Sequence, residues 1–137
     1  MSDLFYQTSV ANDIEKKFGQ DKVTRFEGFE KNVIKIDDRY VVLIKYCASQ
    51  SDPVFKFTDK EIGDLLLMQK QFPLNTFIIL TNGDKMKCSF TFKELGEICN
   101  IKSIERSIYI EDITLKAFDI RGALGKIKFK KDRYLNF

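Results

Sequence analysis

The chain opens on apolar residues at helical spacing. Leu4, Ala11, Ile14 and Phe18 share one face, with Val10 beside them. Gly19 stands where such a helix stops, and Lys16 and Lys17 suit its C-terminal end. The period then shortens. Val23 to Phe29 alternates loosely. Asn32 to Ile36 and Tyr40 to Tyr46 are two runs parted by Asp37-Asp38-Arg39, which predicts a hairpin with a short polar loop. Tyr40-Val41-Val42-Leu43-Ile44 is apolar on both faces, so this strand belongs in the middle of a sheet covered on both sides.

Ala48 to Pro53 is polar and predicts a loop. Thr58-Asp59-Lys60-Glu61 is a capping-box sequence. The helix it opens carries Ile62, Leu65, Leu66, Gln69 and Phe72, and Pro73 ends it. Thr76 to Leu80 is a second buried strand, closed by the turn signal Asn82-Gly83. Met86 to Phe90 reads as a short strand. Thr91-Phe92-Lys93-Glu94 is a second capping box, opening a helix with Leu95, Ile98 and Cys99. Ser107 to Ile110 is a strand, Gly122 and Gly125 flank a turn, and Lys126-Ile127-Lys128-Phe129-Lys130 alternates as an edge strand. The sum is an α/β fold: a mixed central sheet flanked by helices, with a C-terminal strand extension. With 137 residues and 44% apolar composition, residues 1–137 are expected to form a single domain.

Composition narrows the chemistry. There is no histidine, which removes Ser-His-Asp and Cys-His catalysis and histidine zinc sites. Cys47, Cys88 and Cys99 form no C-x-x-C pair, and the first ten residues contain Asp3 and no apolar stretch. Reduced thiols and a cytoplasmic location are the expectation, with no membrane partner. The net charge of +3 is unevenly placed. Lys116, Arg121, Lys126, Lys128, Lys130, Lys131 and Arg133 face only Asp119 and Asp132 after residue 115. Such a cluster reads either as a nucleic-acid contact or as a lysine guard on an edge strand.

Lesser constellations add little. Asp59, Glu61 and Asp64 read as acids offsetting a helix dipole. Glu111 and Asp112 are adjacent on a strand and diverge. Gly122-x-x-Gly125 lacks the strand-loop-helix context of a phosphate loop, and Ala123-Leu124 is not the polar pair of a backbone clamp. Phe55 and Phe57 flanking Lys56 read as an apolar contact or as a strand before the helix.

The element order through Leu80 is helix, three strands, helix, strand. That order resembles the core of the restriction-endonuclease-like, PD-(D/E)xK nucleases, and its spacing resembles archaeal-type Holliday junction resolvases. The likeness covers residues 1–90, and residues 91–137 would be an extension of the same domain. In that family the apolar third strand ends in acid-x-Lys, and Lys45 stands at the Lys position. The resemblance implies a divalent metal held by carboxylates, with the Lys orienting the attacking water. Here Leu43 occupies the acid position and Asn32 the other ligand position. Asp13 and Glu15 on the first helix are the acids left to complete a catalytic set with Lys45.

The resemblance therefore implies a nucleic-acid-binding protein that keeps a nuclease-like fold with a degenerate, inactive or weakly active site. No metal ligands or cofactors are expected. Lys126, Lys128, Lys130, Lys131, Arg133 and Tyr134 would carry sequence-tolerant binding to DNA or RNA, Tyr134 by stacking. One alternative is a protein interaction or scaffolding subunit, binding another protein or a second copy as a homodimer. The other is an active Mg²⁺-dependent endonuclease with a migrated acid.

Overall fold

The computed structural model describes residues 2–26, 28–29, 32–46, 54–82, 86–103, 106–111 and 116–137, with backbone alone for residues 2–8. Cys47, the loop from Ala48 to Pro53, Gly83 and Asp112 lie outside the described residues.

A five-stranded mixed sheet forms the centre. Its order is β1 (Val23–Arg25), β2 (Val33–Ile36), β3 (Tyr40–Tyr46), β5 (Thr76–Thr81) and β6 (Lys87–Thr91), with β4 (Val54–Lys56) between β3 and β5 in the chain but in another sheet. The β3–β5 pair is parallel and the others are antiparallel. The strands apolar on both faces, β3 and β5, are central, with Val41 to Ile44 and Ile78 to Leu80 buried. The β2–β3 hairpin turns on Asp37 and Asp38, both at positive φ, and the Arg39 N–H donates to the Ile36 carbonyl at 3.0 Å. Two successive left-handed residues match the twist of the flanking strands, and Asp tolerates that region better than most side chains.

Alternation along β3 sorts the core into two layers. Val42 and Ile44 face helix α1 (Ser2–Phe18), packing with Val10, Ile14, Ile36, Ile79 and Leu135. Val41 and Leu43 face the other way, towards α2 (Asp59–Gln71) and α3 (Phe92–Ile98). Both latter helices start as their sequences predict. Thr58 and Thr91 each accept from the N3 backbone while Glu61 and Glu94 reach back to the cap N–H.

The C-terminal extension is larger than one strand. A second, four-stranded antiparallel sheet runs β4, β7 (Ser107–Glu111), β8 (Ala117–Gly122), β9 (Gly125–Lys130). Its inner face contributes Phe55, Ile108, Phe118, Ile120 and Phe129 to the same apolar cluster as Val41 and Leu43. Phe55 and Phe57 are thus core residues, not an exposed contact. Strand β9 is an edge strand, as its alternation predicts. The chain then makes a 3-10 turn, Lys131–Arg133, and returns its last residues to the α1 face, where the Phe137 and Phe77 rings stack at 4.1 Å. Among the described residues, no helix is long and apolar enough to cross a membrane.

Candidate functional site

Lys45 sits at the C-terminal end of β3, two residues beyond Leu43 and so on the same face of the sheet. It pairs in register with Leu80. Its Nζ donates to both carboxylate oxygens of Glu61, at 2.8 and 2.7 Å, and lies 5.1 Å from the centre of the Phe57 ring. Glu61 also accepts from the Thr58 N–H at 2.9 Å. The helix start is therefore the counter-charge of the strand-end lysine. The capping box hid that pairing in the sequence, because an acid in a first turn already has a role there.

The neighbours do not complete a metal site. Leu43 is 1% exposed and has no donor atom. Asn32 extends the hairpin ladder: its carbonyl accepts from the Ile44 N–H and its side-chain amide donates to the Ile44 carbonyl, each at 2.9 Å. Asp59 is held by Arg106, which also donates through Nε to the Phe57 carbonyl at 3.0 Å. Asp64 is paired with Lys60 at 3.1 Å. Among the described residues, no group of three or more His, Cys, Asp or Glu side chains lies within reach of one ion. A hard divalent cation needs several oxygen ligands. Among the described residues, the donor set around Lys45 does not fit one, because the carboxylate it holds, Glu61, is already neutralised by Lys45.

Asp13 and Glu15 are not brought to Lys45. They lie on α1, across the sheet from it. Asp13 Oδ2 accepts from Lys87 Nζ at 2.9 Å and from the Tyr134 hydroxyl at 3.1 Å. Glu15 is half-buried on the same helix, and its carbonyl accepts from the Gly19 N–H at the helix end.

The C-terminal cations divide into two groups. Lys126, Lys128 and Lys130 are exposed and project from one face of β9, while Phe129 points into the core. Lys131 is half-buried, and Arg133 is turned inward to Glu94 and lies over the Phe129 ring. Tyr134 packs between both apolar layers with its hydroxyl on Asp13. That arrangement corrects the expectation that Tyr134 offers a ring for stacking. Burial, reinforced by the Asp13 carboxylate, pushes its hydroxyl pKa well above the ordinary tyrosine range. The sequence pattern missed the inward turn because the strand alternation ends at Lys130, where the 3-10 turn begins.

No protein-family model matches the chain, and no curated protein does. Among solved structures, the chain is similar to Archaeoglobus fulgidus Hjc, a Holliday junction resolvase. The TM-score is 0.42 and the identity 12%, over 94% of this chain and 87% of that one.

Proposed function

We propose that this chain is a nucleic-acid-binding protein built on a nuclease-like α/β core that does not cleave its ligand. The observation that carries the reading is the row of Lys126, Lys128 and Lys130, all exposed on one face of the edge strand. Cations in such a row displace condensed counterions from a phosphate backbone, which favours binding without selecting a sequence. The nuclease-like core is supported by the α1, three-strand, α2, β5 order and the parallel β3–β5 pair. The absence of cutting is supported by Leu43 and by the capture of Lys45 by Glu61. A reducing, cytoplasmic setting fits Cys88 and Cys99, both buried free thiols.

A protein-binding reading has its own support. Leu66, Leu67 and Leu74 are exposed on α2 and just beyond its end. A second copy of the chain or another subunit would cover such side chains.

The test incubates the protein with branched, duplex and single-stranded DNA, with Mg²⁺ or Mn²⁺, and measures both binding and cutting. Binding that weakens steeply with salt and no cleavage is the expected result. Cleavage that vanishes in Lys45→Ala would overturn the non-cleaving part of the reading. Undetectable binding at low salt would overturn the rest, and sedimentation would then be used to look for a protein assembly.

A further inference from the structure

The outward face of the second sheet presents ordered rows of side chains. Val54 pairs with Tyr109, Tyr109 with Arg121, and Arg121 with Lys126, so these four side chains line up across β4, β7, β8 and β9. All four are exposed, Tyr109 by 46% although it is near the middle of the sheet. The next row runs Glu111, Asp119, Lys128, and beyond it Ala117 pairs with Lys130. Lys56 lies opposite Ser107 at the other end of the face.

The charge on this face is lopsided. Lys56, Arg121, Lys126, Lys128 and Lys130 outnumber Glu111 and Asp119. Each acid has a cation nearby: Glu111 is 3.7 Å from Arg121, and Asp119 is 3.7 Å from Lys126. Lys56, Lys128 and Lys130 have no ion-pair partner among the described residues. The face therefore combines a central, half-exposed aromatic ring with unneutralised lysines along one edge and at one corner.

Those two features select a ligand. A base stacks on an aromatic ring only if its own face is open, which is true of a single strand and not of a base inside a duplex. Strands β7 and β9 lie about 10 Å apart by normal sheet spacing, so a strand stacked on Tyr109 can pass its backbone along the β9 lysines. We propose that this face binds single-stranded nucleic acid, with Tyr109 as the stacking platform and Lys128 and Lys130 as backbone contacts. The proposal rests on the nucleic-acid reading above and adds the strandedness of the ligand and the surface that holds it. Tyr109 was not evident as a site residue from sequence. The available signal was its place on the polar side of the alternating run Ser107 to Glu111.

The test is fluorescence anisotropy with the full chain, using a labelled oligothymidylate of about fifteen nucleotides, near the upper site size of such platforms, and a duplex of the same length. The single strand is expected to bind at least about tenfold more tightly, and Tyr109→Ala to lose roughly tenfold while Tyr109→Phe stays within about twofold. Oligonucleotide should also quench tyrosine fluorescence, and Tyr109→Phe should remove most of that quenching. Replacing Lys128 and Lys130 with Gln should reduce the slope of log affinity against log salt by about 1.4, or ~0.7 per phosphate contact. Equal affinity for duplex and single strand, or full affinity in Tyr109→Ala, would overturn this proposal and leave general nucleic-acid binding standing. No binding to either probe would overturn both.

Discussion

Lys45 and Glu61 form a chelated ion pair: the lysine Nζ lies 2.8 Å from one carboxylate oxygen and 2.7 Å from the other. The pair ties the end of a central strand to the first turn of α2, and neither side chain is more than about a fifth exposed. Glu61 serves the cap and the lysine together. Glu61→Ala is therefore expected to cost about 2 kcal/mol, roughly half from the cap and half from the pair. Glu61→Gln keeps an acceptor for the Thr58 N–H and should cost about half as much. Urea denaturation of both variants checks the order. Equal losses would show that the ion pair alone matters, and a negligible loss in Glu61→Gln that the cap alone does.

Arg133 holds Glu94, the capping-box acid of α3, and here the effect depends on pH. Burial raises the Glu94 pKa, but the Arg133 hydrogen bond and charge, with the N–H and hydroxyl of Thr91, outweigh it and leave the pKa below the ordinary glutamate value. A depressed folded pKa adds stability above the unfolded value, near 4.3. That stability is lost as pH falls through the folded pKa. Arg133→Met is expected to destabilise the protein at pH 7 by about 1 kcal/mol. The difference from the parent should shrink in acid, once Glu94 is protonated. Thermal melts from pH 7 down to pH 3 measure it, and a difference that is constant with pH would assign the loss to packing.

The features legible in the sequence are those written in local pattern. The doubly apolar β3 and β5, both capping boxes and the alternation of β9 each depend on neighbours a few residues away. The second sheet is different. Strand β4 has only three residues and finds its partner in β7, some fifty residues along the chain. Nothing in the local period of Val54 to Lys56 names that partner. The same holds for the site residues: Lys45 was legible as a strand-end lysine, but its counter-ion required the docking of α2. Arg133 and Tyr134 follow the β9 lysines directly in sequence and so look like a continuation of their surface, but the 3-10 turn at Lys131 ends the strand and turns both inward.

Tyr134 should mark the alkaline limit of the fold. Its side chain is partly buried and its hydroxyl donates to Asp13, so ionisation in the folded state is opposed first by burial and then by the carboxylate. For an acid whose folded pKa is raised, the contribution is complete below the unfolded value, about 10 for tyrosine. It is lost as pH rises beyond that. The parent is expected to lose stability above pH 10, and Tyr134→Phe to lose less over the same range. At pH 7 the Phe variant should be weaker by about 1 kcal/mol, for the missing hydrogen bond. Guanidinium melts at pH 7 and above pH 10 test both signs. An unchanged alkaline loss in the Phe variant would assign it to other groups.

Gly122 and Gly63 should respond to alanine in opposite directions. Gly122 ends β8 where the β8–β9 turn meets the C-terminal end of α3, and a Cβ there would fall 2.1 Å from the Ile98 carbonyl oxygen. That oxygen is a backbone atom and already accepts from the Leu124 N–H at 2.9 Å. It cannot yield without moving the helix end or breaking the turn. Gly122→Ala is therefore expected to cost about 3 kcal/mol or more, by overpacking and the strained hydrogen bond together. Gly63 lies inside α2 with nothing within 4 Å of the added atom and no positive φ. There alanine removes chain entropy from the unfolded state and meets no clash, so Gly63→Ala should gain about 0.5–1 kcal/mol. Urea midpoints of the two variants should move to opposite sides of the parent. If Gly122→Ala is neutral, α3 and the β8–β9 turn do not approach as closely as the structure places them.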